Sequence, residues 1–158
     1  MVRYVRPPPN APADVAWIAG GEVDEYRISL GFYGDDLDPD QVSNILGGTP
    51  TSTCRKGDVA AGKAATRIER TGRWLLSAPV KPGEPLEPQL MQLFGSLNQD
   101  NSAWLALTKR HRSRFCVSAW IRSWNRGFEM SPELLRILSD RGLALGVDIY
   151  ADFDDHDV

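Results

Sequence analysis

Alternation of apolar and polar residues predicts three strands in this chain. Every second residue is apolar over 26–33, 115–124 and 143–150, which is the period of a half-buried strand. In each of them the apolar set is expected to face a core. Residues 74–77 predict a further strand, and residues 104–107 predict a short one.

Helices are predicted where start and stop residues bracket an apolar stripe. Asp38 and Ser131 are N-cap residues, each followed by a proline at the first helical position. Gly47 and Gly142 end these two helices. A third helix over 85–98 has leucine and phenylalanine at helical spacing.

The two capped helices follow two of the strands in the same order, which indicates an internal repeat. Asp38-Pro39-Asp40 matches Ser131-Pro132-Glu133, with apolar residues at equal offsets after each proline. The repeat predicts pseudo-duplicated β-α-β halves, as in ferredoxin-like sheets. The alternative is that capping followed by proline is simply common helix chemistry. Either way the fold class is α+β, with a mostly antiparallel sheet and helices packed on one face.

Composition fits one globular domain with short appendages. The chain has 158 residues, of which 42% are hydrophobic and 25% charged. We expect a Pro-rich N-terminal arm over 1–24, the α+β domain over 25–152 and an acidic tail over 153–158. Residues 49–72 predict no clear element. Trp17 makes the arm a candidate cover for the body.

Charge and hydropathy narrow the partners that the chain is expected to meet. The formal net charge of -3 gives no general attraction to nucleic acid or to an anionic membrane. No apolar run approaches the ~20 residues of a membrane span, and the N-terminus does not have the pattern of a secretory signal. We therefore expect a cytoplasmic protein, no membrane contact and reduced cysteines.

Several short segments resemble one bacterial family. They are Ser29-Leu30, 34–39, Thr49-Pro50-Thr51, Lys56-Gly57-Asp58, Trp74, 131–135 and 148–150. Together they are similar to the domain-of-unknown-function family numbered 4279, from Tyr26 to Asp152. The resemblance implies a bacterial origin and the family's fold, but no mechanism. Small acidic bacterial proteins of this type often look like immunity partners of secreted toxins, an association rather than a derivation.

Residues for catalysis or metal binding are sparse. His111 lies in a basic run and His156 in the tail, so neither has the neighbours of a triad base. No phosphate loop or EF-hand spacing occurs, and no metal or cofactor is expected. An enzyme would need Asp35, Asp36 and Asp148 to converge in the fold. We lean against an enzyme and leave the question open.

The second face of the predicted sheet is the strongest candidate site. Its strands carry small residues beside Trp, Tyr, Arg and Asp, a composition typical of interface hot spots. The alternative is that this face is covered internally, by the arm or by the 55–80 segment. The partner-binding residues predicted there are Arg27, Tyr33, Trp120, Arg122, Trp124, Asp148 and Tyr150.

The leading hypothesis is a non-enzymatic protein that binds a protein partner, and its narrow form is an immunity-type protein that neutralises a toxin by direct contact. The first alternative is a module for a small ligand or single-stranded nucleic acid on the same Trp/Arg face. The basic run 109–114 is typical of such modules when aromatics lie nearby, but is more often a solvated turn, so nucleic acid is disfavoured. The oligomeric state is left open, a homodimer included.

Overall fold

A computed structural model describes residues 21–61, 66–78, 85–122 and 126–151. The predicted arm and the acidic tail lie largely outside these ranges, so their boundaries stay predictions. Nine strands and four helices occur in the described parts of the chain. The strands are β1 Gly21–Glu22, β2 Glu25–Gly34, β3 Ser52–Cys54, β4 Val59–Ala61, β5 Thr66–Ile68, β6 Gly72–Ala78, β7 Arg112–Ile121, β8 Arg126–Gly127 and β9 Leu145–Ala151; the helices are α1 Pro39–Leu46, α2 Leu86–Gly95, α3 Asn101–Arg110 and α4 Pro132–Asp140.

One five-stranded sheet organises the domain, in the order β3-β6-β2-β7-β9. Its β3-β6, β6-β2 and β2-β7 pairs are antiparallel, whereas β9 lies parallel to β7. The short pairs β1-β8 and β4-β5 stand outside this sheet. The α+β class and the mostly antiparallel sheet are therefore confirmed.

The helices cover one face of the sheet and enclose the core. The predicted inward residues of β2 and β7, such as Leu30 and Phe115, are buried there. Trp74 of β6 is fully buried, and its Nε1 donates a hydrogen bond to Ser43 Oγ of α1 at 2.9 Å. Phe32 lies edge-on to Trp74 with ring centroids 6.0 Å apart. This packing fixes the sheet against α1.

The predicted helix starts are confirmed in detail. The Asp38 side chain accepts from Asp40 N, and the Ser131 side chain accepts from Leu134 N. Gly47 and Gly142 adopt positive φ values of 71° and 65°, as required of a residue that ends a helix in the left-handed region. These signals act within one turn, which is why the sequence shows them.

The ferredoxin-like duplication is not confirmed, because the two halves return to the sheet differently. After α4, β9 lies directly beside β7 and parallel to it. After α1, the chain forms β3 and the β4-β5 hairpin before β6 pairs antiparallel to β2. The shared cap and proline therefore mark two similar helices and not two equivalent β-α-β halves.

The prediction of a strand over 104–107 is wrong, because these residues lie within α3. Asp100 caps this helix by accepting from Ser102 N at 2.9 Å. Trp104 and Leu107 are both buried, at the spacing of one helical face. The basic run 109–114 is accordingly not a solvated turn as a whole, since it contains the end of α3 and the start of β7.

The apolar side of β9 is not buried as the alternation predicts. Leu145, Val147 and Ile149 pair with Phe115, Val117 and Ala119 of β7, so they point to the helix side. They are nevertheless exposed, because β9 is the edge strand and no described element covers these side chains. The predicted face is right and the predicted burial is wrong.

Candidate functional site

The face of the sheet opposite the helices is the candidate site. Strand register aligns its outward residues in rows across β2, β7 and β9. One row contains Glu25, Trp120 and Tyr150, and the next contains Arg27, Ser118 and Asp148. A third row runs through Ser77, Ser29, Cys116 and Gly146. Large amphipathic side chains thus stand at one end of a floor made of small residues.

Three predicted site residues form a continuous stack at this end. The Trp120 and Tyr150 rings are parallel within 9°, with centroids 4.7 Å apart. The Arg27 guanidinium lies 4.7 Å from the centroid of the Trp120 ring. Glu25 accepts from Arg27 at 3.3 Å and orients it from the side. Stacking of this kind restrains the rotamers of all three side chains before any partner arrives.

Asp148, on the edge strand β9, is held by two donors from β7. Arg114 Nη2 lies 2.9 Å from Asp148 Oδ1, and Cys116 Sγ lies 3.2 Å from Asp148 Oδ2. The Cys116 hydrogen bond, and then Arg114, hold the pKa of Asp148 below its usual range. Burial, and then the hydrogen bond to Asp148, raise the pKa of the Cys116 thiol. The thiol therefore stays protonated and is not an activated nucleophile.

A trough of about 700 Å³ lies along this face next to the stack. The hydroxyl groups of Ser29, Ser77 and Ser118 line its floor, and Leu75 adds an apolar wall. None of the described hairpin residues of β4 and β5 lines it. Within the 55–80 segment, the described residues of β4 and β5 therefore do not cover the trough, whereas β6, itself a strand of this sheet, borders it. The arm around Trp17 lies outside the described residues.

Two other predicted residues, Tyr33 and Arg122, do not join the stack. Tyr33 lies at the far end of β2, where its ring folds back over Gly31 so that a Cβ there would come within 2.8 Å of Tyr33 Cζ. Arg122 follows the end of β7 and is exposed, while its amide donates to Asp24 Oδ2 at 2.8 Å. Trp124 lies outside the described residues.

Sequence reasoning missed Arg114 as a residue of this face. The interpretation of 109–114 as a solvated turn leaves Arg114 outside the strand, whereas β7 begins at Arg112. The alternation Arg112, Arg114, Cys116, Ser118, Trp120 was the available signal, and it continues without a break into the basic run. The floor serines on β2 and β6 carry no comparable signal, because small hydroxyl residues are common on any strand.

The three carboxylates that an enzyme would need are not brought together. Asp35 and Asp36 follow the end of β2 that lies farthest from Arg27 and the Asp148 row. There Asp35 pairs with Lys56, and Asp36 pairs with Arg110 at 3.0 Å. Among the described residues, no group of three or more His, Cys, Asp or Glu side chains is placed to hold a metal ion. The geometry does not support the converging-aspartate hypothesis.

His111 is a buried residue beside one of these ion pairs. It is 3% exposed, and its Nδ1 lies 3.7 Å from Asp36 Oδ1, beyond hydrogen-bond distance. Burial lowers the pKa of His111, and this effect outweighs the attraction of Asp36. The neutral imidazole is thus the form that the folded protein accommodates.

We expect this histidine to make the fold sensitive to mild acid. Because its folded pKa is below the unfolded value of 6.5, the unfolded chain takes up more protons as the pH falls through 6.5. As the pH decreases, the free energy of unfolding should then decrease, by at most about 1.4 kcal/mol per pH unit from this group. Urea unfolding between pH 5 and 8 measures this pH dependence for wild type, for His111→Gln and for the control His156→Gln. Equal slopes for wild type and His111→Gln would contradict the assignment.

Two of the four lysine and arginine residues in the basic run 109–114 pair with nearby carboxylates, and so does Arg126 farther along the chain. Arg110 pairs with Asp36 at 3.0 Å, Arg114 with Asp148 at 2.9 Å, and Arg126 with Asp24 at 3.5 Å. The run is also divided between the end of α3 and the start of β7. It does not form the single uncompensated stripe that follows a nucleic-acid backbone.

The fold and the open face define a class of protein, a single α+β domain whose sheet is covered by helices on one face and is left uncovered on the other by the described residues. The chain belongs to the family described as Domain of unknown function (DUF4279), whose model matches residues 24–152. No curated protein and no solved structure matched the chain. In the described part of the chain, no helix has the length and apolar character that crossing a membrane requires.

Proposed function

We propose that this protein is a cytoplasmic bacterial binding protein without catalytic activity, and that the open sheet face is its partner-binding surface. The observation that carries the proposal is the Arg27-Trp120-Tyr150 stack beside the serine-floored trough. Trp, Tyr and Arg are the residues in which binding energy is most often concentrated.

The stack has the physical properties of a binding anchor. Trp120 is half-buried and Tyr150 is 48% exposed, so both rings present area that a partner can still cover. Their mutual stacking and the Arg27 contact reduce the rotamer entropy lost on binding. Next to them, the Asp148-Arg114 pair and the serine hydroxyls supply donors and acceptors. This combination favours a protein partner, and a toxin neutralised by contact is the narrow form of the proposal.

A position-specific cross-linking experiment tests the proposal. A photo-reactive amino acid replaces Ser77, which is exposed on the open face, or Ser139, which is exposed on α4 at the helix side. Both proteins are expressed in the source organism and irradiated. We expect one protein to be cross-linked from position 77 and not from position 139, and a secreted toxin among the products would support the narrow form.

The same experiment with Trp120→Ala separates a specific surface from a merely accessible one. Loss of the cross-link at position 77 in this background supports the stack as the anchor. Identical products from positions 77 and 139, or a cross-link that does not depend on Trp120, would overturn the proposed surface. Leu135→Ala is the control, because it removes an exposed apolar side chain from α4 on the helix side, and it should leave the product unchanged.

The trough favours one second candidate, binding of a small molecule. A volume of about 700 Å³ is within the range of small-molecule sites, and the Trp120 ring with three serine hydroxyls would suit a flat polar compound. Native mass spectrometry of the protein purified from its source organism would detect such a ligand. A bound small mass that Trp120→Ala loses, together with no cross-linked protein from position 77, would favour this candidate over a protein partner.

A further inference from the structure

The outer edge of β9 is unpaired within the described residues, and it is apolar. We propose that this edge pairs antiparallel with β9 of a second copy of the chain, forming a homodimer about a twofold axis through one continuous sheet. The proposal concerns the sheet edge, not the open face, and stands independently of the binding function proposed above.

Backbone geometry shows which groups of β9 are available. Phe115 N donates to Ala144 O at 2.8 Å, and Phe115 pairs with Leu145 in the parallel register. In a parallel pair, alternate residues direct both N–H and C=O to the neighbouring strand. Gly146, Asp148 and Tyr150 therefore bond to β7. The peptide groups of Leu145, Val147 and Ile149 point to the free edge.

The same three residues expose their side chains. Leu145 is 39% exposed, Val147 42% and Ile149 66%, all on the helix side of the sheet. Long apolar edges promote strand addition, and folded proteins protect them with charges, prolines or very short strands. The opposite edge of this sheet is protected in that way, because β3 has only three residues. The seven-residue β9 carries no Lys, Arg or Pro.

A twofold axis at Val147 matches the strand to itself. Val147 would then lie opposite Val147 of the second copy, and Leu145 opposite Ile149 of the second copy. These are the residues whose peptide groups point outward, so each such pair exchanges two hydrogen bonds. Their side chains meet on one side of the sheet as two adjoining apolar stripes. An isologous contact of this kind closes as a dimer and does not propagate.

Charges on the other side of the sheet favour the same register. Arg114 lies over Gly146 so closely that a Cβ there would be 2.8 Å from the guanidinium carbon. With the axis at Val147, Asp148 faces Gly146 of the second copy and therefore lies beside that copy's Arg114. An axis at Asp148 would instead oppose two carboxylates directly, which destabilises a strand pair.

Analytical ultracentrifugation over a concentration series tests the dimer. Val147→Lys introduces a charge at the axis, and we expect it to raise the dissociation constant of the dimer at least tenfold. Val59→Lys is the matched control, because Val59 is 68% exposed in β4, outside the main sheet, and the same substitution there should leave the dimer unchanged. A wild-type monomer at all concentrations, or equal effects of the two substitutions, would overturn the proposal.

Hydrogen exchange of wild type tests the proposal without any substitution. Strand pairing at the edge should protect the amides of Leu145, Val147 and Ile149 at high protein concentration and release them on dilution. The amides of Gly146, Asp148 and Tyr150 should stay protected throughout, because they bond to β7. Concentration-independent exchange of the first set would refute edge pairing, even if the protein were dimeric through another surface.

Discussion

Trp104→Ala is expected to lower the free energy of unfolding by about 3–5 kcal/mol. Trp104 is fully buried, and its Nε1 donates to Asn98 O at 2.7 Å. Its ring contacts Phe32 and Phe94, with centroid distances of 6.3 Å for each, and the Arg141 guanidinium lies 4.9 Å from its centroid. The substitution leaves a cavity between α3 and the sheet and removes a hydrogen bond.

Urea unfolding followed by circular dichroism measures this loss, and Trp120→Ala is the matched control. The control removes an equal side chain from the open face, where it is only partly buried, so we expect a loss of about 1 kcal/mol or less. Similar losses for both variants would mean that Trp120 is covered as completely as Trp104, and the open face would not be a binding surface.

Trp120→Ala should have its large effect on binding. We expect it to weaken the partner identified by cross-linking by about 2 kcal/mol or more, or about thirtyfold in dissociation constant. The substitution removes the central ring of the stack, and Arg27 and Tyr150 then lose the contact that orders them. Isothermal titration of the purified partner measures the effect.

Tyr33→Ala is the control for that titration, because it removes an aromatic ring from the same face at the far end of β2. Its effect on affinity should be several times smaller than that of Trp120→Ala. Equal effects would indicate that the partner covers the whole face evenly, and would contradict the assignment of the stack as the anchor.

The proposed dimer and the proposed binding surface are compatible. The apolar stripes of β9 meet on the helix side, whereas the Trp120-Tyr150 stack lies on the opposite side of the same strands. Two copies would therefore place their open faces side by side on one continuous sheet surface. A dimer would present two stacks to its partners, which raises avidity without any new contact.

Local signals account for what the sequence determined by itself. Strand alternation in β2 and β7 predicted their buried faces, and the caps at Asp38 and Ser131 predicted where α1 and α4 begin. Each of these signals depends on residues within a few positions of one another. The prediction for α3 failed because Trp104–Leu107 is too short a segment to distinguish period 2 from period 3.6.

Contacts between distant residues decide the strand order. The strand order in turn decided which apolar side chains stay exposed and which site residues meet. Alternation in β9 showed which residues share a face, but only the tertiary structure placed this strand at the edge, where Leu145, Val147 and Ile149 stay exposed. Likewise, the sequence placed Arg27, Trp120 and Tyr150 on one face, and only the register between β2, β7 and β9 stacked them. Tyr33 shares that face, yet the length of β2 separates it from the stack. Periodicity specifies the direction in which a side chain points, whereas the neighbour that covers or contacts it depends on pairing between segments far apart in the chain.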